Sequence, residues 1–307
     1  MRQLYTLGIR LYGLALWLAA AFRPKARMWV QGRQDWRENL QKALPTHTAP
    51  RFWFHCASLG EFEQGRNLID LLRASYPQGQ IVVSFFSPSG YEIRKTYPAA
   101  DHVCYLPLDT PGNAADFVRI LRPDVAFFVK YELWIHTLAA LRKARVPTLL
   151  ISARVGESSS FLRSPLRGLY KEAFAGFRAI FTQDEDSARR IRDFSGNEQV
   201  FVSYDTRYDR VTANREAFAD IPEISAFVGG RTCMVAGSTW PADEALVLES
   251  FTHLIQEHDL CLIIAPHEIH PEAIRSMCRR FPDLSLLYSE RAQASGRERI
   301  LWIDNIG

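Results

Sequence analysis

From residue 50 onward the chain alternates short, almost uniformly apolar runs with helical patterns, and this alternation constrains its fold most. The runs are Phe52–Cys56, Ile81–Phe86, Val103–Leu106, Val125–Val129, Thr148–Ile151, Ala179–Thr182 and Val200–Ser203. A strand apolar on both faces must be covered on both faces, which calls for a parallel sheet with helices above and below. Stretches such as Gln64–Ser75, with Leu68, Leu71 and Leu72 on one face, and Leu133–Ala144 read as the covering helices. A second block has runs at Thr232–Ala236, Leu260–Ala265, Leu284–Tyr288 and Ile300–Ile303, with helices predicted from Pro241 and Pro271. The economical architecture is α/β, with two Rossmann-like domains facing across a cleft. Residues 23–211 form the first domain, 212–230 a linker with Pro222 and Gly229-Gly230, and 231–307 the second.

Composition excludes several classes. With 47% apolar and 23% charged residues in 307, the chain is not disordered, collagen-like or polytopic in a membrane. No GxGxxG or Walker A motif follows any predicted strand, which removes support for a dinucleotide oxidoreductase or a P-loop enzyme. Cysteines 56, 104, 233, 261 and 278 are odd in number and scattered, so neither a disulfide framework nor a structural zinc site is expected. The net charge of +3 hides an asymmetry: residues 1–50 carry eight bases against two acids. A basic end suits anionic lipid better than nucleic acid, which would want a basic stripe across the fold.

The segment from Leu4 to Phe22 is apolar apart from Arg10 and is followed by Arg23, Lys25 and Arg27. It is short for a spanning helix. Residues 1–22 therefore read as a membrane anchor, a marginal span or an interfacial helix with Arg10 snorkelling. The bases after it would keep the body on the cytoplasmic face of the cell inner membrane. Two rivals stand beside this: a signal peptide cleaved near Ala19-Ala20-Ala21, and a buried helix of the first domain.

Four segments could carry chemistry. His55-Cys56-Ala57-Ser58-Leu59-Gly60-Glu61 runs from a strand into a helix, with Gly60 permitting a tight turn. Glu61 falls near a helix N-terminus, whose dipole favours the ionised carboxylate of a general base. A capping glutamate without catalytic duty is the alternative. Glu132, in Lys130-Tyr131-Glu132-Leu133-Trp134, ends another strand and reads as a second cleft carboxylate, or as an ion-pair partner of Lys130 or an arginine. Gly237-Ser238-Thr239-Trp240-Pro241, between a strand and a helix, could cradle a phosphate. His267, Glu268 and His270 suggest a metal, but no HExxH is present and Pro271 interrupts a continuous helical face, so no metal is expected. A phosphate- or nucleotide-contacting loop fits better.

Together with Ser152-Ala153-Arg154, Asp205 to Asp209 and Asp243-Glu244, these segments occur in an order that resembles the 3-deoxy-D-manno-octulosonic acid (Kdo) transferases of lipopolysaccharide assembly. Ser87-Pro88-Ser89-Gly90-Tyr91 and Tyr105-Leu106-Pro107-Leu108-Asp109 are similar to the Bacteroidetes-type branch. The resemblance implies a GT-B glycosyltransferase moving Kdo from CMP-Kdo to a lipid A precursor, with inversion and no cofactor. It implies Glu61 as base and Glu132 as its companion carboxylate. It puts Gly237, Ser238, Thr239, His267 and Glu268 at the donor, and Ser58, Gly60, Arg154 and Arg207 at substrate. Lys130 stands where many members have an acid, and Tyr204 where a glycine is common. Family members continue past Gly307, so the second domain is expected to be incomplete, with Ile300–Ile303 as its exposed edge and donor binding weak. A GT-B enzyme using another nucleotide sugar, or a non-catalytic lipid-A-binding scaffold, are the rival functions.

Overall fold

The computed structural model describes residues 1–44, 48–206, 208–209, 212, 215 and 220–305. The chain divides into two compact units, Met1–Glu216 and Ala217–Gly307.

In the first unit three helices come first: α1 (Arg2–Ala19), α2 (Pro24–Gln31) and α3 (Trp36–Ala43). Strand and helix then alternate through β1 (Arg51–Cys56), α4 (Leu59–Ser75), β2 (Gln80–Phe85), α5 (Pro88–Arg94) and β3 (His102–Tyr105). Next come α6 (Pro111–Leu121), β4 (Val125–Val129), α7 (Ile135–Lys143) and β5 (Thr148–Ala153). Helices α8 (Ser160–Arg163) and α9 (Arg167–Ala175), β6 (Ala179–Thr182), α10 (Glu185–Ser195) and β7 (Val200–Val202) follow. The seven strands form one parallel sheet in the order β3-β2-β1-β4-β5-β6-β7.

Period-two alternation along each strand divides the apolar runs between two cores. Trp53, Val82 and Phe128 join Phe117, Leu121 and Phe174 on one face. Their sequence neighbours Phe54, Val83 and Phe127 join Phe62 and Ile69 on the other. Phe54 and Phe127, on adjacent strands, stack with centroids 4.5 Å apart. Fully burying one such ring contributes roughly 1.5–3 kcal/mol. Two buried faces are the reason the runs lack polar alternation.

Helix α1 packs on this unit: Tyr5 is buried with Ile135 and Leu169, and Ile9 lies against the same cluster. Its other side leaves Leu4, Leu7, Leu11, Leu14, Trp17 and Leu18 exposed. Among the described residues no helix is long and apolar enough to cross a membrane.

The second unit contains α11 (Pro222–Val228), β8 (Thr232–Thr239), α12 (Pro241–Leu254), β9 (Leu260–Pro266), α13 (Pro271–Cys278), β10 (Ser285–Leu287) and β11 (Ile300–Trp302). Its parallel sheet runs β10-β11-β9-β8, over a core of Leu248, Phe251, Leu262, Ile264 and Trp302. Two expectations fail here. The Ile300–Ile303 run is not an edge, because β11 pairs with both β10 and β9 and its three residues are buried. Nor is Gly237-Ser238-Thr239 a free turn. Pairing with β9 continues to Thr239, across a register shift at which Ser238 takes φ 57°.

Candidate active site

Strand order in the first sheet reverses at β1, with β2 on one side and β4 on the other. In open α/β sheets ligands bind outside the carboxyl ends of strands at such a switch point. Glu61 lies in the first turn of α4, just after β1, and Glu132 in the turn from β4 to α7. The topology therefore brings both predicted carboxylates to one crevice.

Glu61 is only 5% exposed. Its Oε2 accepts backbone N–H bonds from Ala57 (2.5 Å) and Ser58 (3.2 Å), so it does cap α4. Its Oε1 accepts no hydrogen bond among the described residues. Burial, and next the charge of Glu132, push the Glu61 carboxyl up to about 7, while the Ala57 amide and Lys130 pull it back. Against the expectation that the helix N-terminus keeps this carboxylate ionised, burial and Glu132 outweigh its two backbone N–H bonds and Lys130. Cys56, fully buried beside both acids, has its thiol pushed well up by burial first and Glu61 second.

Glu132 is held by an aromatic and imidazole frame. The Trp134 indole N–H lies 2.9 Å from Glu132 Oε2 and 2.9 Å from His55 Nε2. His55 is fully buried, and its Nδ1 lies 2.9 Å from Ser84 Oγ, which also accepts from Trp53 Nε1 at 2.8 Å. An indole donor at Nε2 places the ring proton on Nδ1, toward Ser84. Lys130 is not the partner of Glu132; its ammonium lies over the Tyr131 ring.

Strain collects at the same edge. Lys130 after β4, Ser152 in β5 and Tyr204 after β7 take φ of 65°, 51° and 60°. Non-glycine residues avoid this region, and such outliers gather at functional sites. Tyr204 thus adopts the backbone that a glycine would take at no cost. Thr206 ties the following segment to α4: its Oγ1 donates to Gln64 O (2.7 Å) and lies 3.0 Å from Ser152 Oγ.

A buried carboxyl titrating near neutrality, with a second carboxylate beside it at a switch point, suits proton abstraction from a bound hydroxyl. Residues 34–210, more than half of the chain, match the family model of 3-deoxy-D-manno-octulosonic-acid transferase (kdotransferase). This chain belongs to the kdotransferase family. The 3-deoxy-D-manno-octulosonic acid transferase of Bordetella pertussis is 27% identical over 96% of this chain and 70% of that protein. That of Rickettsia bellii is 24% identical over 80% of this chain and 59% of its own length. For the Chlamydia trachomatis serovar D enzyme the figures are 28%, 60% and 41%. The chain spans between 41% and 70% of the length of those three relatives.

Among solved structures, the UDP-GlcNAc 2-epimerase of Neisseria meningitidis superposes with TM-score 0.55 at 11% identity, over 85% of this chain and 73% of that one. The Methanocaldococcus jannaschii enzyme gives 0.54 at 12% identity, over 85% and 74%. Those likenesses are of fold, the GT-B-type α/β class.

In the second unit, Ser238 Oγ lies 3.2 Å from His267 Nδ1, and the Trp240 and His267 rings are 4.7 Å apart. Thr239 donates to buried Glu244 (3.0 Å), whose carboxyl is pushed up by burial. Ser238, Thr239 and His267 are thus brought together beside Gly237, whereas Glu268 turns to His270 at 2.9 Å on the surface. Among the described residues no three His, Cys, Asp or Glu are grouped to hold a metal ion. In the first unit Ser58 caps α4, and Gly60 sits within that helix with open space where a Cβ would project, so no tight turn requires it. Arg154 is exposed, 4.0 Å from Asp184. Arg207 lies outside the described residues. The roles of His55, Ser84 and Trp134 were missed; a lone histidine in an otherwise apolar strand was the available signal.

Proposed function

We propose that this member of the kdotransferase family moves Kdo from CMP-Kdo to a hydroxyl of a lipid A precursor, with Glu61 as general base. The observation that carries the reading is the buried Glu61 carboxyl, raised to about 7, with Oε2 bound to backbone amides and Oε1 left to meet a substrate proton. The acceptor oxygen attacks the anomeric carbon of Kdo as its proton passes to Glu61 Oε1. The bond to the CMP phosphate oxygen breaks, CMP departs with the bonding pair, and configuration inverts. Glu132 raises the proton affinity of Glu61 and orients the acceptor. Ser238, Thr239 and His267 are the residues assigned to CMP. Exposed Leu4, Leu7, Leu11, Leu14 and Leu18 recur along α1 at three- and four-residue spacing. With Arg10, Arg23, Lys25 and Arg27, that face suits a helix lying on the cytoplasmic surface of the inner membrane.

The test is Glu61→Gln in the complete natural protein, assayed with CMP-Kdo and a tetra-acylated lipid A precursor. Losing a general base costs ~10²–10⁴-fold, so turnover should fall by that order while CMP-Kdo binding changes little. Near-normal turnover would remove Glu61 from the chemistry. A melting-temperature screen with CMP, UDP and GDP separates this donor from other nucleotide sugars.

A further inference from the structure

The Tyr105–Asp109 run has no role in the reaction derived above, yet its last residue is among the most completely bonded side chains of the first unit. Asp109 is buried. Its Oδ1 accepts from the Thr137 backbone N–H (2.9 Å) and the Thr137 hydroxyl (2.7 Å). Its Oδ2 accepts from the His136 N–H (3.0 Å) and the Tyr5 hydroxyl (2.7 Å). His136 and Thr137 are the second and third residues of α7, and Trp134 at the N-cap supplies no side-chain cap. Asp109 therefore caps α7 from a remote segment, placing a carboxylate where the helix exposes unpaired N–H groups and positive potential.

What lies just before that capped turn is Glu132 and its donor Trp134. Helix α1 meets the same turn from behind. Tyr5 holds Asp109, and Thr6 Oγ1 lies 2.8 Å from His136 Nε2. Further along, Tyr12 stacks on Phe86 (6.2 Å), which packs against the Trp134 ring at 4.7 Å. Burial and the Asp109 charge push the Tyr5 phenol up, so it remains a donor.

We propose that Asp109 and Tyr5 are positioning residues for Glu132, holding the first turn of α7 and so keeping Trp134 and Glu132 in register with Glu61. This rests on the reading of Glu61 and Glu132 as the working pair. It makes α1 part of the active-site frame, whatever else its exposed face does. Both partners are remote from Glu132 in sequence, so the dependence is built by the fold and not by the local turn.

The experiment compares Tyr5→Phe, Asp109→Asn, Asp109→Ala, Glu132→Gln and the double variant D109A/E132Q in the complete natural protein. It reads kcat, KM for CMP-Kdo, the acid limb of the pH–rate profile, and amide exchange at His136 and Thr137. A displacement of ~1 Å at a reacting group costs on the order of 10²-fold. D109A should therefore lower kcat at least about tenfold with KM little changed, and should move the acid limb to lower pH as Glu132 leaves Glu61. D109N, which keeps an acceptor for Thr137, should recover part of the loss. Y5F should fall in the same direction by less, with faster exchange at His136. On the E132Q background, D109A should cost no more, because it acts through a group already neutralised. Should D109A fail to fold, Y5F and D109N decide by the same readouts. Unchanged kcat and pH limb in Y5F and D109A, with E132Q impaired, would overturn the positioning role alone. An unimpaired E132Q would overturn the role of Glu132 and the proposal with it. A D109A loss undiminished on the E132Q background would show a purely structural cap and also overturn it.

Discussion

Replacing Glu61 with Gln should make the folded protein less sensitive to pH, and the size of the effect follows from its surroundings. The carboxyl rises from 4.5 to about 7, first through burial and second through Glu132, against the Ala57 and Ser58 amides and Lys130. The folded state thus holds this proton more tightly than the unfolded chain. Stability from that proton is fully present below pH 4.5 and is lost as pH climbs through about 7. At about 1.4 kcal/mol per pH unit, the loss from this one group is about 3 kcal/mol. Gln has no proton to lose, yet at the third helical position it still accepts from the two backbone amides. The assay is urea unfolding of wild type and E61Q at intervals from pH 4.5 to 8.5, followed by far-UV circular dichroism. The two stability curves should converge at the acid end and separate above neutrality, with E61Q the more stable. Glu132→Gln should lie between them, since it removes the second cause and leaves the first. Parallel curves for wild type and E61Q across the whole range would refute the buried, proton-holding carboxyl.

Two further expectations are independent of the carboxylates. Changing exposed Leu7, Leu11 and Leu14 to Gln should release the protein from anionic vesicles in a sedimentation assay and leave its melting temperature nearly unchanged. Deleting α1 would not isolate membrane binding, because it also removes Tyr5 from Asp109. Tyr204→Gly, at φ 60°, should raise stability by up to about 1 kcal/mol, read as a higher melting temperature, because a left-handed tyrosine is strained by ~1–2 kcal/mol.

Strands were legible because each of the central ones is buried on both faces. The runs at Val125–Val129 and Ala179–Thr182 match β4 and β6 end to end, and the other runs match their strands with ends shifted by a few residues. The shifts fall where backbone pairing, not hydrophobicity, decides the limit. Leu284 and Tyr288 flank β10 as apolar residues outside its register with β11, and Gly237-Ser238-Thr239 has turn composition yet extends β8 through its pairing with β9. The edge expected at Ile300–Ile303 failed for a related reason: periodicity shows that a strand is buried but not which strands lie beside it. For α1, residue pattern could not separate an exposed apolar face from a packed one, because the helix has both. Tyr5 is apolar enough to suit either, and its packing with Ile135 and Leu169 and its bond to Asp109, residues over a hundred positions away, show where it sits.

The site divides in the same way. Glu61 and Glu132 were readable because a strand's carboxyl end is a position that sequence locates, and both acids stand there. What tunes them was not readable, since it comes from contacts across the sheet: His55 reaches Trp134 from β1, Ser84 reaches His55 from β2, and Asp109 reaches α7 from the loop before α6. The two readings of Glu61, helix cap and proton acceptor, are also not exclusive. Oε2 takes both amides, and the proposed reaction uses Oε1. That division has a consequence for chemistry. In the proposed reaction, a base fixed through one oxygen loses little freedom when substrate arrives, so its proton affinity is set before binding by burial and by Glu132. On that proposal, whatever anchors Glu132 governs the pH at which Glu61 is ready to accept a proton.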